Sequence, residues 1–242
     1  MRASRTGIVL AAGFGSRLEG SSDETDLKPL TPVGGVPLLH RTVRSLQLAG
    51  CRRVVVVVGH GADEVQAGVR PHFNGSLDLR FVVNERYDLS NGVSVLAARD
   101  AVDGAFVLTM ADHVFSDDVM RLASSHTPPS EGATLLVDYD IDGVFDLDDA
   151  TKVREEDGRI VAIGKQIADY NCIDTGLFVC TEALMDALAD VFEERGDASL
   201  SDGVQRLAAA GRMTVLDIGD GFWQDVDTPE MLAEAERRLA DG

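Results

Sequence analysis

Short apolar runs alternate with amphipathic stretches through the first half of the chain. Residues 7–12 (GIVLAA) read as a buried strand that ends in a glycine-rich loop. Residues 53–58 (RVVVVV) are almost continuously β-branched, the pattern of a strand covered on both faces. Strands are likewise expected at 79–83 and 105–110. Helices are expected at 37–49, closed by Gly50, at 63–69, at 93–101, entered through Asn91-Gly92, and at 117–124. A βαβαβ rhythm of this kind predicts a mostly parallel sheet with helices on both faces, and ligands at the carboxyl ends of its strands.

The rhythm changes after the two prolines of residues 127–132. A strand at 133–139 leads into an aspartate-rich stretch at 140–150. Residues 151–154 and 159–164 flank Asp157-Gly158, a hairpin signal. A strand at 172–179, helices at 182–194 and 201–210, a strand at 213–218 and a closing helix at 229–239 complete the pattern. No internal repeat or linker divides the chain. The expectation is a single α/β domain of 242 residues, with a mostly parallel, mixed sheet. About 1–125 would form a nucleotide-binding half, and about 126–242 an acceptor-binding half with a β-hairpin lid.

Composition narrows the partners. The formal net charge of −19 repels nucleic acid and anionic membranes, so neither is expected as a partner. No apolar run is long enough to insert into a bilayer, and with an apolar segment starting at Gly7 no signal peptide is expected. Three cysteines without CxxC spacing read as reduced thiols, and a cytoplasmic protein is expected. Of the 22 basic residues only Lys28, Lys152 and Lys165 are lysines. A compact ammonium suits a phosphate where a planar guanidinium does not fit.

Three segments carry candidate chemistry. Leu10-Ala11-Ala12-Gly13-Phe14-Gly15 would let backbone N–H groups approach an anion, with Arg17 and Lys28 to neutralise a triphosphate. A dinucleotide fingerprint is excluded because Leu18 stands where its third glycine belongs, and no Walker lysine follows the loop. Asp112 follows a central buried strand, where it either lines the ligand crevice or caps the next segment. Asp227 lies in Trp223-Gln224-Asp225-Val226-Asp227-Thr228-Pro229, where Thr228 is placed to cap the helix and leaves Asp227 for other work. Two carboxylates at strand ends meet the demand of Mg2+, which takes one or two carboxylates plus phosphates and water. His113 sits in the crevice and reads as structural. No Ser/His/Asp or Cys/His arrangement stands out.

At these residues the chain resembles a known family. The run GIVLAAGFGSRL…LKPLTPVGGVPLLHRTV is similar to the opening of the sugar-phosphate nucleotidyltransferases, whose Rossmann-like fold is related to the GT-A glycosyltransferases. Asn91-Gly92-Val93-Ser94, Met110-Ala111-Asp112-His113-Val114, Asp149-Ala150-Thr151-Lys152-Val153, Ile163-Gly164-Lys165, Asp174-Thr175-Gly176 and the Trp223–Thr228 segment follow in order. Together they resemble the CTP:inositol-1-phosphate cytidylyltransferases and, less closely, the phosphocholine and phosphonate cytidylyltransferases.

The resemblance implies an enzyme that couples CTP to a phosphorylated alcohol, inositol 1-phosphate first, and releases pyrophosphate. Arg17 and Lys28 would act on the triphosphate. Leu10, Ala11, Ala12, Gly13, Gly15, Asn91, Gly92 and Ser94 would hold the nucleotide. Lys152, Lys165 and Asp174 would hold the acceptor, and Asp112 and Asp227 would hold Mg2+. A sugar or cyclitol phosphate is an alternative acceptor, and a non-catalytic regulatory subunit is the alternative of another class. A homodimer, and a separate membrane transferase that uses the product, are compatible partners.

Overall fold

The computed structural model describes residues 5–13, 27–73 and 77–241. Gly15, Arg17 and the acidic stretch 19–26 lie outside the described residues. In chain order the elements begin with β1 (Arg5–Ala11), a 3-10 turn at Lys28–Leu30, β2 (Pro32–Val33), β3 (Val36–Pro37), α1 (Leu38–Leu48), β4 (Cys51–Val58), α2 (Ala62–Val69) and β5 (Asp78–Val83). Next come α3 (Asn91–Ala97), β6 (Phe106–Met110), β7 (His113–Phe115), α4 (Asp117–Ser125) and β8 (Ala133–Asp138). The hairpin β9 (Lys152–Glu156) and β10 (Arg159–Gly164) precedes β11 (Cys172–Cys180), α5 (Ala183–Arg195) and α6 (Leu200–Ala209). The chain closes with β12 (Met213–Asp217), β13 (Trp223–Asp225) and α7 (Pro229–Asp241).

Nine of these strands form one sheet in the order β5-β4-β1-β6-β11-β8-β12-β10-β9. The first four are parallel throughout. β11 then runs antiparallel to both β6 and β8, and β12 is parallel to β8. β9 pairs with β10 and also with β11, so the far edge of the sheet curls back on itself. The parallel pairing expected from the βαβ rhythm thus belongs to the first half, and the hairpin half supplies most of the antiparallel pairs.

The continuous apolar runs are explained by burial on both faces. Within β4, Val55 and Val57 point into one core layer while Val54, Val56 and Val58 point into the other, and all five are fully buried. The first layer takes Leu184, Leu188, Val204 and Leu207 from α5 and α6. The second takes Leu39, Val43 and Leu46 from α1, with Val119 and Met120 from α4.

A third, smaller cluster decides where the chemistry lies. Val33, Leu38, Val114, Val226 and Ala235 pack together, fastening α7 against β2 and β7. The two short strands β7 and β13 pair in an antiparallel ladder, with Asp225 opposite His113. The Val226 N–H donates to the Asp112 carbonyl at 2.9 Å. Segments more than a hundred residues apart in sequence are thereby joined at the carboxyl end of β6.

Candidate functional site

Asp112 stands two residues past the end of β6, and no helix begins at it. Its carboxylate therefore has no capping duty. Thr228, by contrast, does cap α7: its Oγ1 accepts the Met231 N–H at 3.3 Å. Capping of α7 therefore does not fall to the Asp227 carboxylate, and both aspartates turn to the same group. The Lys28 ammonium donates to Asp112 Oδ2 at 2.5 Å and also to Asp227 Oδ1. The Lys28 side chain is only 11% exposed, so this is a mostly buried cation between two carboxylates.

The charges answer to that geometry. Burial opposes the charge on Lys28, but Asp112 and Asp227 together hold its pKa above the ordinary lysine value. Burial likewise opposes ionisation of Asp112, yet Lys28 and the hydrogen bond from His113 keep its carboxyl well below the usual range. Asp225, nearby, is pushed up by burial and by the neighbouring charges of Asp227 and Asp112.

Beside this cluster opens a cavity of about 530 Å³. Asn91, Asp112, Lys165, Asp174 and Asp227 all line it. Most of its charged lining is carboxylate, and among the described residues Lys165 and Arg238 are its lysine and arginine side chains. Lys165 is paired with Asp149 at 2.6 Å, and Arg238 with Glu234 at 2.9 Å. Trp223 and Phe222 form part of the wall, together with half-exposed Phe145. The Trp223 indole N–H donates to Asp138 Oδ2 at 2.8 Å.

Other residues singled out from the sequence are placed differently. Lys152 is buried in β9, and its ammonium donates to the Asp148 carbonyl at 3.1 Å. It is not among the residues that line the cavity, though Thr151 beside it is, and in the hairpin it stands opposite Gly164, the neighbour of Lys165. Ser94 is buried and accepts a hydrogen bond from Asn84 Nδ2 at 2.9 Å. Gly92 presses against the 198–199 backbone, where a Cβ would stand 2.5 Å from the Ala198 carbonyl oxygen. Asn91 faces the cavity, and its Oδ1 also accepts the Leu200 N–H at the start of α6. Ser94 and Gly92 thus hold α3 in place. Leu10, Ala11 and Ala12 are buried at the end of β1, and Gly13 is exposed just beyond it. Sequence reasoning missed Asp138, Trp223 as a wall, and Arg238. Asp138 carried a usable signal, since it ends a buried strand as Asp112 nearly does.

Asp174 is half-way into the wall, and its Oδ1 accepts the Gly176 N–H at 2.7 Å. Burial raises its pKa to about 6. An acid whose folded pKa exceeds its unfolded value of about 3.9 costs stability once ionised, so the cost grows as pH rises through 4 to 6. Asp174→Asn, which keeps the Gly176 contact, is expected to melt above the wild type at pH 8. That advantage should shrink steadily as pH falls from 6 towards 4. Thermal melts across this range check it, and a pH-independent difference would be the contrary result.

The donor set fits a divalent cation only in part. Among the described residues no cluster of three metal-ligating side chains occurs. Two carboxylates converging on one cationic position is nevertheless what a metal that completes its shell from phosphate and water requires.

Residues 7–206 match the model of the MobA-like NTP transferase domain. The chain belongs to that family. It is a nucleotidyltransferase, and the α/β sheet with its crevice is the frame such enzymes use. Over 242 aligned residues it is 37% identical to the bifunctional IPC transferase and DIPP synthase of Rubrobacter xylanophilus, covering 96% of this chain and 51% of that protein. The protein of the same name from Aquifex aeolicus is 32% identical, with 97% and 51% covered. The chain therefore spans about half the length of these relatives. Among solved structures, the inositol-1-phosphate CTP transferase from T. maritima matches with a TM-score of 0.86 at 29% identity, over 100% of this chain and 98% of that one. Among the described residues, no helix is long and apolar enough to cross a membrane.

Proposed function

We propose that this nucleotidyltransferase joins CTP to inositol 1-phosphate, forming CDP-inositol and pyrophosphate. The observation that carries the reading is the convergence of Asp112 and Asp227 on one cationic position beside an acid-lined cavity. The full-length match to the T. maritima transferase supports the choice of substrates.

The second pKa of a phosphate monoester is about 6, so the acceptor is largely dianionic near neutral pH and needs no general base. Its oxygen attacks the α-phosphorus of CTP, a new P–O bond forms, and the bond to the β-phosphate oxygen breaks as pyrophosphate departs. The demand on the protein is to align two anions that repel each other. Asp112 and Asp227 would hold Mg2+, which supplies positive charge to the triphosphate and to the departing pyrophosphate. Lys28, released from the carboxylates, is then free to turn to the phosphates, together with Arg17. The end of β1, from Leu10 to Gly13, would receive the nucleotide, with Asn91 on the cavity side. Lys165 would meet the acceptor phosphate. The carboxylates around the cavity, Asp174 among them, would accept hydrogen bonds from ring hydroxyls.

The same acid-lined cavity, with Trp223 and Phe145 in its wall, also suits a cationic tail such as that of phosphocholine or an aminoalkylphosphonate. One assay separates the readings. Pyrophosphate release with Mg2+ is measured for each of the four nucleoside triphosphates against inositol 1-phosphate, phosphocholine and 3-aminopropylphosphonate. Turnover with CTP and inositol 1-phosphate is expected. Turnover only with a cationic acceptor would keep the chemistry and replace the substrate.

A further inference from the structure

The geometry points to His113 as the residue that positions Asp112 for its cation, an inference that rests on the metal site proposed above. The two oxygens of Asp112 have separate partners. Oδ1 accepts the His113 Nδ1–H at 2.7 Å, which leaves Oδ2 to face the position now held by the Lys28 ammonium. The terminal torsion of an aspartate is broad and two-fold, so an unanchored carboxylate swings easily. A hydrogen bond from a fixed neighbour removes that freedom, and such outer partners tune metal affinity strongly.

His113 is unusually well fixed. Its ring stacks near Phe115 at 28° and near Trp223 at 17°, and its side chain is 12% exposed. Pairing of β7 with β13 sets Asp225 opposite it. On a further side lies Gly176, at φ +74°, where a Cβ would come within 2.5 Å of ring atoms Cδ2 and Nε2. Asp174 holds that turn through the Gly176 N–H. A core histidine filling space would need the packing alone. Here the packing aims one ring nitrogen at one carboxylate oxygen. A line of contacts thus runs from Asp174, on the acceptor side of the cavity, through Gly176 and His113 to Asp112.

The test uses two substitutions of similar polarity. In His113→Asn the amide nitrogen falls where Nδ1 stood, whereas in His113→Gln it reaches towards the position of Nε2. Mn2+ binding to the full chain without substrates is followed by electron paramagnetic resonance, with Asp112→Asn as the control. H113Q is expected to weaken Mn2+ binding by about 10- to 100-fold, with H113N recovering most of the loss. In turnover, kcat should fall for H113Q while KM for both substrates stays nearly unchanged. Equal Mn2+ affinities for H113N and H113Q, or wild-type affinity in H113Q, would overturn the role of His113 and leave the metal site standing. Undiminished Mn2+ binding by Asp112→Asn would instead overturn the site, and the inference with it.

Discussion

An Asp112→Asn, Asp227→Asn double variant is expected to stay folded and to lose at least roughly 10^3-fold in pyrophosphate release, about 4 kcal/mol of transition-state stabilisation. The argument starts from what the pair does without substrate. Two carboxylates from distant parts of the chain are brought onto one ammonium by the β7–β13 ladder and by the small cluster around Val114 and Val226. Evolution of a fold rarely gathers two like charges unless a cation is meant to sit between them, because unscreened they repel. Asparagine keeps the shape and the acceptor oxygens but removes the charge. Lys28 would still find two hydrogen-bond acceptors but no counter-charge in a mostly buried position, so stability should fall by about 3 kcal/mol, roughly 6–12 °C in melting temperature for a chain of this size. The readout is pyrophosphate release over a Mg2+ titration, beside a thermal melt. Turnover that stays near the wild-type rate in a folded double variant would show that the metal is held elsewhere.

Much of this was legible in the chain because the relevant signals are local. Residues 54–58, all valine, and residues 105–110, apolar but for Thr109, announce doubly covered strands, and the strand before Asp112 left it either at a crevice or at a cap. Thr228 before Pro229 was enough to release Asp227 from capping, and the hydrogen bond from Met231 has that sense. What was not legible depends on distant partners. β7 and β13 have three residues each, too few for any periodic pattern, and exist only because they pair with one another. The lysines show the same limit. Their scarcity suggested three phosphate ligands, but it does not say where each ammonium rests without substrate: a lysine stem is mostly hydrocarbon, and Lys152 lies buried with its head on the Asp148 carbonyl. Nothing in the Thr151-Lys152-Val153 run distinguishes that fate from the one of Lys165, which reaches the cavity. Nor does the Asn91–Ser94 run announce that Ser94 meets Asn84 and that Gly92 packs on the 198–199 backbone, since both partners are remote in sequence or fixed by the fold.

Lys28 carries the second large prediction, since it stands between two carboxylates and the proposed reaction would give it a second duty. With no nucleotide present it neutralises Asp112 and Asp227; during the reaction its charge would be needed on the triphosphate. Lys28→Met keeps the length of the stem and removes the ammonium, leaving two carboxylates in a mostly buried position without a counter-charge. Breaking a buried pair in this way costs about 3 kcal/mol, or roughly 6–12 °C in melting temperature, when divalent metal is chelated away. The sign of its pH dependence follows from Asp112. Its folded pKa is depressed, so the stability it gains from Lys28 is present above the ordinary carboxylate range and vanishes as pH falls through and below it. The gap between wild type and K28M should therefore be wide near neutral pH and close below about pH 4. Addition of Mg2+ or Mn2+ should raise the melting temperature of K28M more than that of the wild type, because in the wild type the metal must first displace the ammonium. Activity should nevertheless drop by about 10^2- to 10^3-fold, as expected when a charge that meets the transition state is lost. The combination is what discriminates: a variant rescued by metal in stability but not in turnover has lost both duties of Lys28. If K28M melts like the wild type in chelator and gains nothing extra from metal, the two aspartates are not a cation seat.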